Sequence, residues 1–356
     1  MMKNVAIVTC IGKSNFGNRL QNYALQKVIE DIGHNVETLE NISYLNNIDN
    51  YEENYKEYLE YKNEKEKRDY SNRFRIAYFE EFDMNVKFRE GMVTALDLKD
   101  TGYDYYVVGS DQVWNPHHGK LKDLDLLVGI DNNKRISYAA SIGIDELPEE
   151  LKEKAKNEWL KFKAISVRED KGKEIIENLT GRNDVVVSLD PTMLLTADEW
   201  SKLAKRPKQL KTDKYILNYF LGELSDERRT EIERVALEND CEIINILDKK
   251  GPYYETGPSE FLYLEQNAFL ICTDSFHSSV FSILFDRPFI VFNREDINKS
   301  MNSRIDTLIN TFKLSNRNYK GKITTDNINH DYSEAFKILD SKRREAKEYL
   351  EKALRD

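Results

Sequence analysis

Short apolar runs recur along this chain, and each gives way to a polar or glycine-containing elbow and then to a stretch of helical period. Residues 5–10 lead into Gly12-Lys13-Ser14-Asn15-Phe16-Gly17-Asn18-Arg19. The helix that follows has Leu20, Ala24 and Val28 on one row and Leu25, Ile29 and Ile32 beside it. Gly33 stops that helix, and residues 35–39 read as the next strand. Strand, loop, helix and strand in this order predict a parallel sheet, because parallel neighbours need a crossover between them. The elbows then fall at the carboxyl ends of the strands, the edge where open α/β sheets bind ligands.

The same alternation continues. Residues 103–108 run into Gly109-Ser110-Asp111-Gln112-Val113-Trp114-Asn115-Pro116. Residues 135–140 run into Ser141-Ile142-Gly143, with a helix opening near Pro148. Residues 164–167 end on Arg168-Glu169, and residues 185–189 end on Asp190-Pro191-Thr192. After a linker at 191–213, with one short helix around 198–204, a second series of strands covers 215–220, 242–247, 268–272 and 288–292. At 356 residues the chain is long enough for two domains. The prediction is an α/β protein with two Rossmann-like parallel-sheet domains, 1–190 and 214–330, facing across a cleft where the site lies. A charged amphipathic helix follows over 331–356. Residues 51–89 contain no Gly or Pro, and Tyr51, Tyr55, Tyr58 and Leu59 fall at i, i+4, i+7 and i+8. They predict a helical insertion at about 50–90 within the first domain, with its tyrosine stripe packed down.

Composition narrows the partners. The net charge of −10 argues against nucleic acid or an anionic membrane surface as the main partner. No apolar run approaches the ~18 residues of a membrane-spanning helix. The N-terminus lacks a signal-peptide cleavage pattern and reads as a first strand. Cys10, Cys241 and Cys272 lie in or beside predicted strands, which suits free thiols in a reducing cytoplasm. His117 and His118 are adjacent and the other histidines scattered, so no metal site is expected.

Two elbows carry more chemistry than a turn needs. One is Gly109 onward, where Asp, Gln, Trp and Asn crowd the end of a buried strand. The other is Cys272-Thr273-Asp274-Ser275-Phe276-His277-Ser278-Ser279-Val280-Phe281. There a buried strand turns into a helix apolar almost all round, whose first amides and positive dipole end point past the strand.

These elbows, with Ser137-Tyr138-Ala139-Ala140-Ser141-Ile142-Gly143, Ser166-Val167-Arg168-Glu169 and Leu189-Asp190-Pro191-Thr192, resemble the polysaccharide pyruvyl transferase family over roughly residues 4–315. The resemblance implies a glycosyltransferase-B-like pair of domains. It also implies transfer of a pyruvyl group from phosphoenolpyruvate, as co-substrate and without a cofactor, onto a sugar of a cell-surface glycan or its lipid-linked precursor as a ketal. In one respect the chain departs from the family: other branches place an arginine two residues before the histidine, where this chain has Ser275. The donor arginine is then expected from elsewhere.

That chemistry calls for a general acid, cationic clamps and a base. His277 is the expected acid, since imidazole titrates near neutral pH. Ser275, Ser278, Ser279, Arg168 and Arg304 are expected to bind the donor, with both arginines in the same half of the fold. Asp111 is the expected base. Ser110, Gln112, Trp114 and Asn115, with Asn15 and Arg19 from the first loop, are expected around the acceptor. A lipid-linked acceptor would bring the cytoplasmic protein to the inner face of the membrane through a small peripheral patch. Two rivals follow from the same scaffold. One is a nucleotide-sugar glycosyltransferase with Glu295 or Asp296 as its ribose-binding acid. The other is a non-catalytic glycan-binding subunit.

Overall fold

The apolar runs become the strands of two sheets in which every pairing is parallel. The computed structural model describes residues 1–12, 15–40, 70–119, 121–294 and 302–355. The first sheet holds β1 (Asn4–Val8), β2 (Asn35–Thr38), β3 (Tyr105–Val108), β4 (Arg135–Ala140), β5 (Ala164–Val167) and β6 (Val186–Val187), in the order β2-β1-β3-β4-β5-β6. The second holds β7 (Tyr215–Tyr219), β8 (Glu242–Asn245), β9 (Leu270–Thr273) and β10 (Phe289–Val291), in the order β10-β9-β7-β8. In each sheet the strand order reverses once, between β1 and β3 and between β7 and β9. These are the switch points where crevices open in such sheets. The loops after β1 and β3 flank the first, and those after β7 and β9 flank the second.

The principal helices are α1 (Phe16–Asp31), α2 (Tyr70–Asp83), α3 (Glu149–Trp159), α4 (Asp170–Thr180), α5 (Asp226–Glu238), α6 (Pro258–Asn267), α7 (Phe276–Leu284), α8 (Asn302–Thr311) and α9 (Ser333–Ala353). Asn15 caps α1 by accepting the Asn18 amide at 3.3 Å. Ser275 caps α7, accepting from the Ser278 amide at 3.5 Å. All nine residues of α7 are buried, as its apolar circumference requires.

The chain divides into two units. One comprises Met1–Tyr70, Asp83–Leu194 and Lys342–Asp356; the other comprises Ser71–Phe82 and Leu195–Ser341. Two segments therefore depart from the contiguous division expected from the sequence. Helix α2, read as part of an insertion in the first domain, has its packing partners in the second unit. Its Arg75 donates to the Tyr254 carbonyl at 3.1 Å, and a Cβ on Gly257 would meet Tyr78 Cβ at 2.4 Å. The end of α9 belongs to the first unit, where the Tyr349 hydroxyl donates to the Ser137 carbonyl at 2.8 Å.

The helix does not run on to residue 89. It ends at Asp83, and residues 87–89 add a bridge beside β2, with the Thr38 amide on the Lys87 carbonyl at 2.8 Å. The stripe Tyr51, Tyr55, Tyr58 and Leu59 lies outside the described residues, as do Glu295 and Asp296. β6 keeps two residues of the predicted run 185–189.

The core of the first unit gathers Val8, Tyr106, Val108, Trp114, Ile142, Trp159 and Ile165, and that of the second Ile216, Val235, Leu270, Ile290 and Phe292. Gly109 stands where β3 meets its elbow. Its φ is +119°, and an added Cβ would sit 2.2 Å from the Tyr138 carbonyl oxygen. That neighbour is backbone in the adjacent strand and has little room to yield. Gly109→Ala is therefore expected to cost about 2–4 kcal/mol by combining backbone strain with overpacking. Denaturant titration checks this, and a loss below ~0.5 kcal/mol would mean that the elbow relaxes freely.

Candidate functional site

In the first unit the site is built on charge. Arg168, at the end of β5, is buried and donates from Nη1 to Asp190 Oδ2 at 2.8 Å and from Nη2 to Asp111 Oδ1 at 3.1 Å. Burial would lower this guanidinium's pKa, but the Asp111, Asp190 and Glu169 carboxylates outweigh it and raise it. Arg168 thus stays cationic and holds Asp111 beside it. Asp111 is 5% exposed and left-handed, at φ +70°, a conformation that aspartate tolerates better than most residues. The Ser110 hydroxyl lies 3.0 Å from both Asp190 Oδ2 and the Ala139 carbonyl. Across the switch point, the Ser110 amide donates to Gln21 Oε1 at 3.0 Å, and Gln21 Nε2 donates to Thr9 Oγ1 at 2.9 Å. The elbow is thereby tied to α1 and to the end of β1.

Glu169 braces the neighbouring loop. Its Oε1 accepts from the Ser141 hydroxyl at 3.1 Å and from the Ile142 and Gly143 amides at 2.8 and 3.0 Å. Gly143 in turn approaches the next loop so closely that a Cβ there would lie 2.9 Å from Asn115 Nδ2 and 3.1 Å from Gln112 Oε1.

Several expected acceptor groups are placed differently. Trp114 is 0% exposed, tilted against Trp159 at 5.4 Å, with its indole N–H on the Asp125 carbonyl at 2.8 Å. It is a core residue of the first unit, where Phe162 also meets it edge-on at 5.6 Å. Asn115 is also 0% exposed: its Oδ1 takes the His117 amide at 3.0 Å and its Nδ2 donates to Gln112 Oε1 at 2.6 Å. Arg19 is 2% exposed and bound to Asp83 at 2.6 Å and to the Ile11 carbonyl at 3.0 Å. Asn15 serves as the cap of α1. Asp111 and Ser110 are brought together; Trp114, Asn115, Asn15 and Arg19 are held by the fold.

In the second unit the elbow between β9 and α7 is fixed by Asp274. Its two oxygens accept the Leu221 amide at 2.6 Å and the Gly222 amide at 2.8 Å, which locks the loop after β7 across the switch point. The same carboxylate takes Arg294 Nε at 3.2 Å. His277 stands in the first turn of α7, 7% exposed, with its ring edge-on to Phe276 at 5.3 Å. Arg304, also 7% exposed, opens α8 in this unit. Arg168 belongs to the other unit, so the two arginines are not in one half of the fold as the sequence suggested.

The serine hydroxyls of α7 do not point outward either. Ser278 Oγ donates to Glu265 at 2.5 Å and Ser279 Oγ donates to the Ser275 carbonyl at 3.0 Å. The Ser278 and Ser279 amides are likewise taken, by the Ser275 side chain and carbonyl, so what remains of this end of the helix is chiefly its positive dipole.

Sequence reasoning missed five residues. Asp190 and Glu169 carried the signal, since each follows an apolar strand as Asp111 does. Arg294, two residues past the run 288–292, carried it more weakly. Glu265 is an acid inside an apolar helix face. Arg75 gave no sign in its charged stretch, yet it is 2% exposed and lies over the Phe79 and Tyr254 rings. Burial lowers its pKa, against the pull of Tyr219 and Tyr254. The titration of Tyr219, pushed up by burial, is in turn affected by Arg75, Asp274, Glu265 and Arg294. Two arginines and two acids thus lie around the end of β7, with Arg294 paired to Asp274.

Among the described residues no helix is long and apolar enough to cross a membrane. A family model described as polysaccharide pyruvyl transferase matches residues 15–296, which contain both elbows. No curated protein matches the chain.

Proposed function

The chain belongs to the polysaccharide pyruvyl transferase family, and from that premise we propose that it moves a pyruvyl group from phosphoenolpyruvate onto a sugar of a cell-surface polysaccharide or its lipid-linked precursor, as a pyruvate ketal. The observation that carries the reading is the elbow of β9 and α7: an imidazole at the start of a buried helix, on the same turn that anchors the Asp274–Arg294 pair.

The chemistry assigns the roles. Protonation of the donor at C3 makes C2 electrophilic, and His277 supplies that proton. One sugar hydroxyl adds to C2, the C2–O bond to phosphate breaks, and a second hydroxyl of the same sugar closes the ketal. The donor gains one proton and the acceptor loses two, so one proton departs with phosphate. Asp111, hydrogen-bonded to Arg168, is the proposed base for a hydroxyl proton. Arg294 and Arg304, with the positive end of α7, offset the donor's carboxylate and phosphate. Arg294 supplies in this reading the cation that Ser275 cannot.

A thermal-shift comparison tests it. Phosphoenolpyruvate at 100-fold its Kd is expected to stabilise the protein by roughly 2.7 kcal/mol, with no shift from nucleotide sugars. A shift from a nucleotide sugar and none from phosphoenolpyruvate would overturn the reading. Mass spectrometry of lipid-linked sugars incubated with protein and donor would then show one added pyruvyl group on the acceptor.

A further inference from the structure

Behind the first turn of α7 lies a carboxyl group that the reaction above does not use. Glu265, near the end of α6, is 0% exposed. Its Oε1 is hydrogen-bonded to the Ser278 hydroxyl at 2.5 Å, and its Oε2 has no hydrogen-bond partner. Its helix neighbours Phe261, Leu262 and Leu264 are buried apolar residues. A half-satisfied acid in such a place is costly, and a leucine would avoid the cost. What a leucine cannot do is hold Ser278. That residue lies in the first turn of α7, and its amide reaches the Ser275 cap.

We propose that Glu265 is a positioning residue for the anionic donor, acting through the Ser278 hydroxyl on the first turn of α7. The proposal rests on the donor reading above. Burial pushes the Glu265 carboxyl well above the usual range, and the Ser278 hydrogen bond only partly opposes this. The neighbouring groups whose titration it affects are the neutral phenols Tyr215 and Tyr219 of β7. As a neutral acid it fixes the turn without setting a negative charge behind the helix end that receives an anion. Glutamine, its neutral isostere, should therefore replace it, and leucine should not.

The test is calorimetric binding of phosphoenolpyruvate to the full chain. E265Q is expected to bind within about twofold of wild type. E265L and S278A are each expected to bind about five- to tenfold more weakly, the usual worth of one hydrogen bond. The double variant E265L/S278A should bind no more than about twofold more weakly than either single one, because both remove the same link. A folded E265L with wild-type affinity, an E265Q as weak as E265L, or losses that multiply in the double variant would each overturn the proposal. If E265L fails to melt cooperatively, S278A decides, and wild-type binding by S278A overturns it. Wild-type protein that binds no phosphoenolpyruvate removes the donor reading and this role with it. Wild-type binding with unaffected variants removes only the role.

Discussion

His277→Ala lowers turnover with phosphoenolpyruvate by ~10² or more, the expected loss when a general acid is removed. The donor's C3 is a weak base, and without a poised imidazole its proton must come from water. The effect should fall on kcat more than on KM, since the helix end and the arginines that offset the donor's charge are untouched. His277 is largely buried, so circular dichroism must first show that the variant folds. Full activity in a folded His277→Ala protein would end the assignment.

Arg168→Met is expected to be the most damaging change in the first unit, at about 3–5 kcal/mol of stability. Removing one partner of a buried ion pair leaves an uncompensated charge, and here it leaves two, on Asp111 and Asp190. The sign with pH follows. Without the cation both carboxyls are pushed up by burial, so the deficit is largest at neutral pH and shrinks as acid protonates them. Adding Asp190→Asn to the methionine variant should recover part of the loss, as the two changes touch one network. Chemical denaturation at pH 7 and near pH 4.5 measures both. A deficit under ~1 kcal/mol, or one that grows in acid, would show that Arg168 is not the charge that holds this elbow together.

The placement of Asp111 and His277 at strand-end elbows was legible because each lies a few residues past an apolar strand, β3 ending at Val108 and β9 at Thr273, and a parallel strand delivers its next residues to the carboxyl edge of its sheet whatever the remaining packing. Arg168 was legible as a residue at that edge but not as a partner of Asp111. It was read as donor-binding, and the structure pairs it with two aspartates from other strand ends. Trp114 was read as an acceptor residue from its polar neighbours in sequence, and the structure buries it. Its neighbours in space are Trp159 and Phe162.

By itself the sequence determined the local grammar: which runs are strands, which residues follow them, and that the sheets are parallel. Those features depend on contacts a few residues apart and on side-chain periodicity. Only the tertiary structure decided the strand order, which sets the two switch points beside the two elbows. It also decided that α2 joins the second unit and that Arg294 and Glu265 converge on the turn of His277. Such outcomes depend on pairings between residues tens to hundreds of positions apart. Those pairings are chosen by which apolar faces bury best together, and no local pattern records them.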